Sequence, residues 1–370
     1  MIEYRPSFPP RYRPGVGIVG CGQIVRNAHL PAYEQYGCDV VGVYDIAPEA
    51  TSGLRQRVFG SLDELLADRT VAIVDIATHP DVRVELIRRA IDAGKHVLAQ
   101  KPLAPDLAAA RAVVEEAEQR GVTLAVNQNA RWAPPWRIAT LLIDEGAIGE
   151  VYSVTHLLDR DFAFVLQFPH FDKIEHLLVY DHCVHWIDIS RCWLDGKEPE
   201  SVRALEYRTP GQPRETKQPW GAWINIHYDD GSSASIRSVG GSRTSAPGCR
   251  FWIHGTIGTI RGSILLGSDF VELERAGKEV ERFDLEGAWY LDGFAGALGE
   301  LASAIAEERE PFNSGRHNLL SLELTLAACR SAEDGGRLEG VGRHAAAPLT
   351  PSRSRSAGPP ESAQASGAPE

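Results

Sequence analysis

Two short segments of the sequence carry side chains that could move a proton at a hydroxyl group. Lys101 follows a short apolar run, and Asp181 and His185 are four residues apart, which puts them on one face of a predicted helix. An ammonium can hold an oxygen, an imidazole is the natural general base near neutral pH, and a carboxylate can orient either group. Each residue alone also fits an ordinary structural role; together they predict acid–base chemistry at a hydroxyl-bearing carbon.

A glycine turn near the N-terminus could hold a pyrophosphate. Gly20 and Gly22 lie between a predicted strand and a predicted helix, whose first N–H groups, at Gln23 and Ile24, would face an anion. Val25 stands at the third position of the GxGxxG pattern, where a small residue is usual. Two glycines alone are weak evidence, so this hypothesis depends on its context.

That context is an acid at the end of the next predicted strand. Asp45 comes 23 residues after Gly22, close to the spacing of about 20 expected for a ribose-binding carboxylate. Such a carboxylate accepts hydrogen bonds from the ribose diol and repels a 2′-phosphate, which favours NAD over NADP. The alternative is an ordinary polar residue at a strand end.

The elements that must position these residues alternate between strand and helix over residues 14–128. Runs rich in β-branched residues predict strands, and longer amphipathic runs ending in glycine predict helices. The predicted strands are Val16–Val19, Val40–Tyr44, Val71–Ala77, His96–Ala99 and Val122–Val126; the clearest helices are Val82–Ala93 and Asp106–Arg120. This alternation predicts a parallel sheet with helices on both faces, the Rossmann architecture of a dinucleotide-binding domain.

A second, α+β domain is expected over residues 129–345, between an N-terminal extension (1–13) and a disordered tail (346–370). Its strands are separated by turn signals and predict a largely antiparallel open sheet. We expect strands at Ser201–Tyr207, Ala222–His227, Ser233–Val239, Arg250–His254, Thr259–Leu265 and Phe270–Leu273. We expect helices from Pro134 or Pro135 to Glu145 and at about His176–Trp193, Asp292–Glu308 and His317–Ser331.

Composition excludes several classes of function. With 38 basic and 50 acidic residues among 370, the chain has a net charge of −12, which disfavours nucleic acid and anionic membrane surfaces as partners. Apolar stretches are too short for a membrane span, and the Pro- and Arg-rich N-terminus is unlike a secretory signal. Six scattered cysteines without a CxxC pair indicate reduced thiols in a cytoplasmic protein.

Four features together resemble the glucose-fructose oxidoreductase, inositol dehydrogenase and rhizopine-catabolism (Gfo/Idh/MocA) family. They are Gly20-Cys21-Gly22 followed by His29-Leu30-Pro31-Ala32, then Ala77-Thr78-His79-Pro80, Lys101-Pro102, and Asp181-x-x-x-His185. The resemblance covers roughly residues 14–345. It implies an NAD-dependent oxidoreductase acting on sugars or polyols, with a second domain whose open sheet often supports dimers or tetramers.

The resemblance also implies residue roles. Lys101 and His185 would carry the chemistry with help from Asp181, while Thr78, His79 and Asn129 would line the nicotinamide-ribose side of the NAD site. Two positions depart from the family pattern: Gln100 replaces the usual Glu before Lys-Pro, near the nicotinamide, and Arg83 stands where a histidine is frequent.

Polar and aromatic residues of the second domain suit a polyhydroxylated substrate, although each also fits ordinary structure. The candidates are Trp132, His156, Arg160 and Lys173, with Trp136, Asp161, His170 and Trp289 as further ones. Within the resembling family, alternatives are a redox-cycling glycosidase and a sugar-sensing regulator. A different alternative is a metal-dependent hydrolase using His170, Asp172, His176, Asp181, His182 and His185.

Overall fold

A computed structural model describes residues 2–167, 171–242, 248–265 and 267–342. The predicted disordered tail and His170 lie outside these residues. Within the described part, no helix has both the length and the apolar character needed to cross a membrane. All six cysteines are described and carry free thiols.

The first sheet is parallel and has the strand order β2-β1-β3-β4-β5. Its strands are β1 (Gly15–Val19), β2 (Val40–Tyr44), β3 (Val71–Ile76), β4 (His96–Gln100) and β5 (Leu124–Asn127). The helices around it are α1 (Leu30–Gln35), α2 (Pro48–Thr51), α3 (Leu62–Ala67), α4 (Pro80–Asp92) and α5 (Leu107–Gln119). Apolar cores form on both faces of this sheet, which explains its near-continuous apolar strands and confirms the predicted Rossmann architecture.

The second sheet has the order β13-β12-β11-β10-β6-β9-β8-β7-β14 and is antiparallel except where β6 meets β9. Its strands are β6 (Val151–Asp159), β7 (Pro199–Tyr207), β8 (Gly221–Tyr228), β9 (Ser233–Val239), β10 (Gly248–Gly255), β11 (Thr259–Ser263), β12 (Val271–Glu274), β13 (Glu281–Phe283) and β14 (Glu339–Gly340). The accompanying helices are α6 (Pro134–Asp144), α7 (Val184–Trp193), α8 (Trp289–Ala306) and α9 (Gly315–Glu333). The predicted, largely antiparallel second domain is confirmed.

Several elements differ from the sequence-based expectation, and the short strands β13 and β14 are among them. The central strand β6 was not predicted, because Ser153, Thr155 and His156 interrupt its apolar residues. The helix expected from about His176 is instead a π-helical turn, Leu177–His182, followed by α7. The π turn closes with the N–H of Cys183 donating to the carbonyl of Leu178 at 2.6 Å.

The last two long helices join the sheets. Phe294 and Leu298 of α8 are buried in one apolar core of the first sheet. On the other face, Leu322 of α9 enters the second core of that sheet, while Leu324 of the same helix packs into the core of the second sheet. The chain therefore returns to its first sheet after completing most of its second.

A buried ion pair also joins segments that are distant in the sequence. The guanidinium of Arg131 donates to both carboxylate oxygens of Asp188 on α7, at 2.7 and 2.6 Å. The hydroxyl of Ser321 on α9 donates to the same carboxylate at 2.6 Å. Burial alone raises the pKa of Asp188, but Arg131 outweighs it and the net shift is downward.

Replacing Asp188 by Asn should cost stability, because Arg131 then keeps its charge in a dry environment without a counterion. We expect a loss of about 3–5 kcal/mol in the free energy of unfolding, measured by urea denaturation. The matched control is Glu116→Gln, which breaks the more exposed Arg88–Glu116 pair and should cost no more than about 1 kcal/mol. Equal losses would contradict this view of the Arg131–Asp188 pair.

Candidate active site

The predicted site residues of the first sheet lie at one edge of it. In the parallel register Ile76 pairs with Ala99, and Gln100 pairs with Asn127. The carboxyl ends of β3, β4 and β5 are therefore level, and the residues that follow them share the edge where open α/β sheets bind ligands.

The glycine turn after β1 fits a phosphate cradle. Gly20 has a φ of +92°, and a Cβ on it would lie 2.8 Å from the carbonyl oxygen of Ala77, so only glycine is tolerated there. A Cβ on Gly22 would meet nothing within 4 Å. Val25 is the first residue whose N–H donates to a main-chain carbonyl within the turn, that of Gly22. In this part of the described chain, the N–H groups of Gln23 and Ile24 therefore come before the first helical hydrogen bond.

The unusual third position of the glycine motif does not obstruct the turn. The side chain of Val25 is 0% exposed and packs in the core under the helix together with Ala28. Val25 therefore fills a core position where a small residue is usual, and its side chain does not reach into the proposed phosphate cradle.

Asp45 is bonded to the turn itself. One of its carboxylate oxygens accepts a hydrogen bond from the N–H of Cys21 at 2.7 Å, and the other accepts from the N–H of Ala47 at 2.9 Å. Each oxygen keeps a further lone pair, and the residue is partly exposed. The carboxylate is thus fixed beside the cradle with acceptor capacity remaining for a diol.

Lys101 reaches from the first sheet to the second domain. Its Nζ donates to the main-chain oxygen of Asp181 at 2.7 Å and to Oδ1 of the same residue at 3.0 Å. Burial opposes ionisation of Asp181, but Lys101 and the neighbouring imidazoles of His182 and His185 bring its pKa down to about 2. The side chains are 14% and 23% exposed, so the ion pair is partly desolvated and remains open to a small molecule.

His185 lies on α7, one turn beyond the π turn that carries Asp181. Burial, together with the positive charge of Lys101, lowers the pKa of its imidazole to about 3. The ring is therefore neutral at physiological pH and can accept a proton. Lys101 and Asp181 both act electrostatically on His185, so the three side chains lie in the same part of the structure.

Aromatic packing positions His185. The ring of Trp289 meets it edge-on with the centroids 5.3 Å apart. Asn129, predicted beside the nicotinamide ribose, accepts a hydrogen bond from Nε1 of Trp289 at 2.7 Å. In this structure the Asn129 side chain thus supports the wall of the site next to His185.

Arg83 braces the edge of the first sheet. Its buried guanidinium donates to the carbonyl of Gln100 at 2.7 Å and also to those of Pro102 and Thr78. Burial lowers the pKa of Arg83 to about 10, so it remains a cation. In the sequence, Arg83 is recognisable only as a departure from the family pattern. Nothing in its local sequence indicates that it bonds three carbonyls.

The remaining cofactor candidates lie nearby. The hydroxyl of Thr78 is buried and has no hydrogen-bond partner among the described residues, whereas His79 is exposed just before the start of α4. Gln100 is 6% exposed at the end of β4.

The candidate substrate residues divide into two groups. His156, 1% exposed, packs between Trp136 and Trp193 at centroid distances of 5.7 Å, and Trp132 packs against Gly296 of α8. These residues have packing roles. Arg160 is partly exposed and acts electrostatically on His182 and on Tyr290, which sequence analysis missed. Lys173 is exposed.

The residues proposed for a metal site are engaged otherwise. The two ring nitrogens of His176 lie 2.5 Å from a carboxylate oxygen of Glu206 and 3.0 Å from one of Glu333. The carboxylate of Asp172 accepts the main-chain N–H groups of Lys217 and Gln218. Among the residues that the structure describes, no group of three or more His, Cys, Asp or Glu could hold a metal ion.

Comparison with known proteins decides the family. Residues 15–128 match the family model described as an oxidoreductase NAD-binding Rossmann fold, and residues 141–339 match the oxidoreductase C-terminal alpha/beta domain of the same family. The chain belongs to the Gfo/Idh/MocA oxidoreductase family. The resemblance stated from the sequence is confirmed, as is the expectation of a nicotinamide-dependent oxidoreductase at the level of the family.

Relatives cover most of the chain at low identity. D-apiose dehydrogenase of Paraburkholderia graminis is 27% identical over 92% of this chain and 93% of its own length. The 1,5-anhydro-D-fructose reductase of Ensifer adhaerens is 28% identical over 87% and 97%. An uncharacterized oxidoreductase of Schizosaccharomyces pombe is 37% identical, but over only 28% of either chain.

Solved structures share the fold. Levoglucosan dehydrogenase in complex with NADH and levoglucosan superposes with a TM-score of 0.75 at 21% identity, covering 89% of this chain and 100% of that one. An oxidoreductase of Agrobacterium radiobacter in complex with NAD+, L-tartaric acid and magnesium gives a TM-score of 0.77 at 23% identity, covering 89% and 99%.

Buried neutral histidines should make the protein sensitive to acid. Burial lowers the pKa of His156 to about 3, whereas an unfolded histidine takes up its proton near pH 6.5. The stability contributed by neutral His156 is therefore complete above pH 6.5 and is lost as the pH falls below it. This contributes about 1.4 kcal/mol per pH unit to the slope of unfolding free energy against pH.

A His156→Gln variant should have a shallower slope between pH 6 and 4 by about that amount, measured by urea denaturation at several pH values. The exposed His227 supplies the control, since His227→Gln should leave the slope as it is. Identical slopes in wild type and His156→Gln would show that His156 is not buried as a neutral ring.

Proposed function

We propose that the protein is an NAD-dependent dehydrogenase. It transfers a hydride between nicotinamide and a hydroxyl-bearing carbon of a sugar, a polyol or a related compound. The observation that carries this proposal is the Lys101–Asp181 ion pair, which brings a first-sheet cation to the second domain beside the neutral imidazole of His185. A held cation and an available base are what removal of a hydroxyl proton requires.

The side chains divide the work as follows. The neutral ring of His185 takes the hydroxyl proton, since its low pKa keeps it unprotonated. The Lys101 ammonium holds the same oxygen while negative charge develops on it. Asp181 positions that ammonium through its carboxylate and its main-chain carbonyl. NAD bound at the glycine turn supplies the hydride acceptor.

The preference for NAD is a proposal based on Asp45. Its carboxylate is fixed next to the cradle by the N–H of Cys21, where it would accept ribose hydroxyl groups and repel a 2′-phosphate. Bound NAD or NADH in two structures of the same fold supports this choice.

A polyhydroxylated substrate is supported by the relatives that are named for apiose and for anhydrofructose. Arg160, which acts electrostatically on His182, and Tyr290, on which Arg160 and Asp181 act, are candidates for further substrate contacts, and Lys173 remains a candidate from sequence alone. We further propose a cytoplasmic homo-oligomer. The homo-oligomer is supported by Trp223 on β8. This large side chain is 50% exposed on the outer face of the second sheet, whereas its neighbour Ile224 is buried on the opposite face.

The test is a screen of polyols, aldoses and aldonic acids for reduction of NAD, followed by NADH absorbance. With a substrate in hand, His185→Ala and Lys101→Met should each lower kcat by about 10²–10⁴-fold, the usual contribution of general acid–base catalysis. The dissociation constant for NAD should stay within about twofold of wild type. Arg88→Met on the surface of α4 is the control. Full turnover by His185→Ala would refute the assignment.

Cofactor choice can be tested separately by Asp45→Asn, which keeps the shape of the side chain and removes its charge. The ratio of kcat/KM with NAD to that with NADP should fall by about tenfold or more, because the repulsion of the 2′-phosphate is lost. Asp39→Asn, the equivalent change just before β2, should leave the ratio as it is. An unchanged ratio in Asp45→Asn would remove Asp45 from this role.

A further inference from the structure

A set of buried hydrogen bonds lies beneath Lys101 and is not used in the proposed reaction. Oδ2 of Asp75 on β3 lies 2.6 Å from Nδ1 of His29 and accepts the hydroxyl of Tyr33 at 2.7 Å. All three side chains are 0% exposed. The groups are too buried for water to replace these bonds, so each donor must find its acceptor within the set.

Gln100 connects this cluster to the catalytic lysine. Its Nε2 lies 3.1 Å from Nε2 of His29, and its Oε1 accepts the main-chain N–H of Lys101 at 2.9 Å. The Gln100 side chain therefore joins the buried histidine to the residue whose ammonium reaches Asp181.

Donor and acceptor rules fix every proton in this chain of bonds. The N–H of Lys101 can only donate, so the amide oxygen of Gln100 must face it and the amide nitrogen must face His29. That nitrogen also only donates, so Nε2 of His29 must be unprotonated. An imidazole keeps at least one ring proton, so the proton of His29 lies on Nδ1, which faces Oδ2 of Asp75 at 2.6 Å. His29 is a neutral ring of one defined tautomer.

We propose that Gln100 is a positioning residue for the dehydrogenase reaction, which connects neutral His29 to the main chain of Lys101 and so fixes the approach of its ammonium to Asp181. The inference rests on the proposed function for its catalytic consequence. Arg83 complements Gln100, because it holds the carbonyls of Gln100 and Pro102 on either side of Lys101.

A glutamate at position 100 would change where the protons lie in this chain of bonds. A carboxylate has no hydrogen to offer Nε2 of His29, so the bond forms only if His29 or the new glutamate takes up another proton. Among the described residues, the titratable groups that face His29 are Asp75 and Tyr33, while the ring of Phe294 covers it at 4.5 Å. The variant should therefore depend on an extra proton that the wild type does not need.

The experiment compares Gln100→Glu with Gln100→Met, a control of similar length that makes neither hydrogen bond. The first readout is the ¹⁵N NMR spectrum of histidine-labelled protein at pH 7.5, with the His29 signals assigned by their absence in His29→Gln. We expect the Nδ1–H tautomer in wild type. An Nε2–H tautomer or an imidazolium would overturn the proposal, whether or not either Gln100 variant folds and whether or not a substrate is found.

The second readout is kcat/KM between pH 6 and 9. Gln100→Glu should lose about tenfold or more at pH 8.5 and recover as the pH falls, because lower pH supplies the missing proton. Gln100→Met should lose activity to a similar extent at every pH, and the dissociation constant for NAD should change less than about twofold in both. Equal, pH-independent losses in the two variants, or a wild-type profile in Gln100→Glu, would overturn the positioning role. A failed substrate screen would count against the proposed function and leave the tautomer result intact.

Discussion

The contact between the Lys101 ammonium and Asp181 is the interaction on which the site depends. A lysine has a long flexible stem and loses considerable rotamer freedom when it is fixed, so its charged end needs more than one acceptor to stay in place. Asp181 offers both a carboxylate and a main-chain carbonyl. The π turn makes that carbonyl available, since a regular α-helix would have used it in its own ladder. Lys101 favours the ionised form of Asp181 and disfavours a proton on His185.

Burial therefore serves chemistry here as well as stability. A charged imidazole loses its hydration in a buried environment. Burial therefore keeps His185 neutral, with no need for a hydrogen-bond donor to its ring. The indole of Trp289 packs edge-on against His185, and Asn129 fixes the indole in turn. On the other side of the site, Arg83 holds three carbonyls of the first sheet. Rigid neighbours on both sides limit the positions that a substrate oxygen can take.

Local sequence patterns sufficed for the strands of the first sheet, because these are apolar on both faces, and for α4 and α5, which are followed by Gly94 and Gly121. They failed for β6, where a buried His156 and hydroxyl side chains hide a central strand. The four-residue spacing predicted one helical face for Asp181 and His185, whereas the structure carries Asp181 on a π turn and His185 on α7. Contacts between distant segments could not be derived: Asp45 with Cys21, Arg83 with three carbonyls, and the packing of His156 all depend on the tertiary fold.

The return of α8 to the first sheet affects how such a protein can be recombined. Phe294 and Leu298 supply one face of the nucleotide-binding lobe with apolar cover. A chimera that took everything after residue 128 from a related enzyme would therefore also take from it α8, which covers one face of the first sheet. A workable graft has to retain the host's α8, splicing in foreign sequence on both sides of it, or co-adapt the surface against which it packs. In this architecture, exchanging the second domain for a new specificity therefore needs three junctions, one after residue 128 and one at each end of α8.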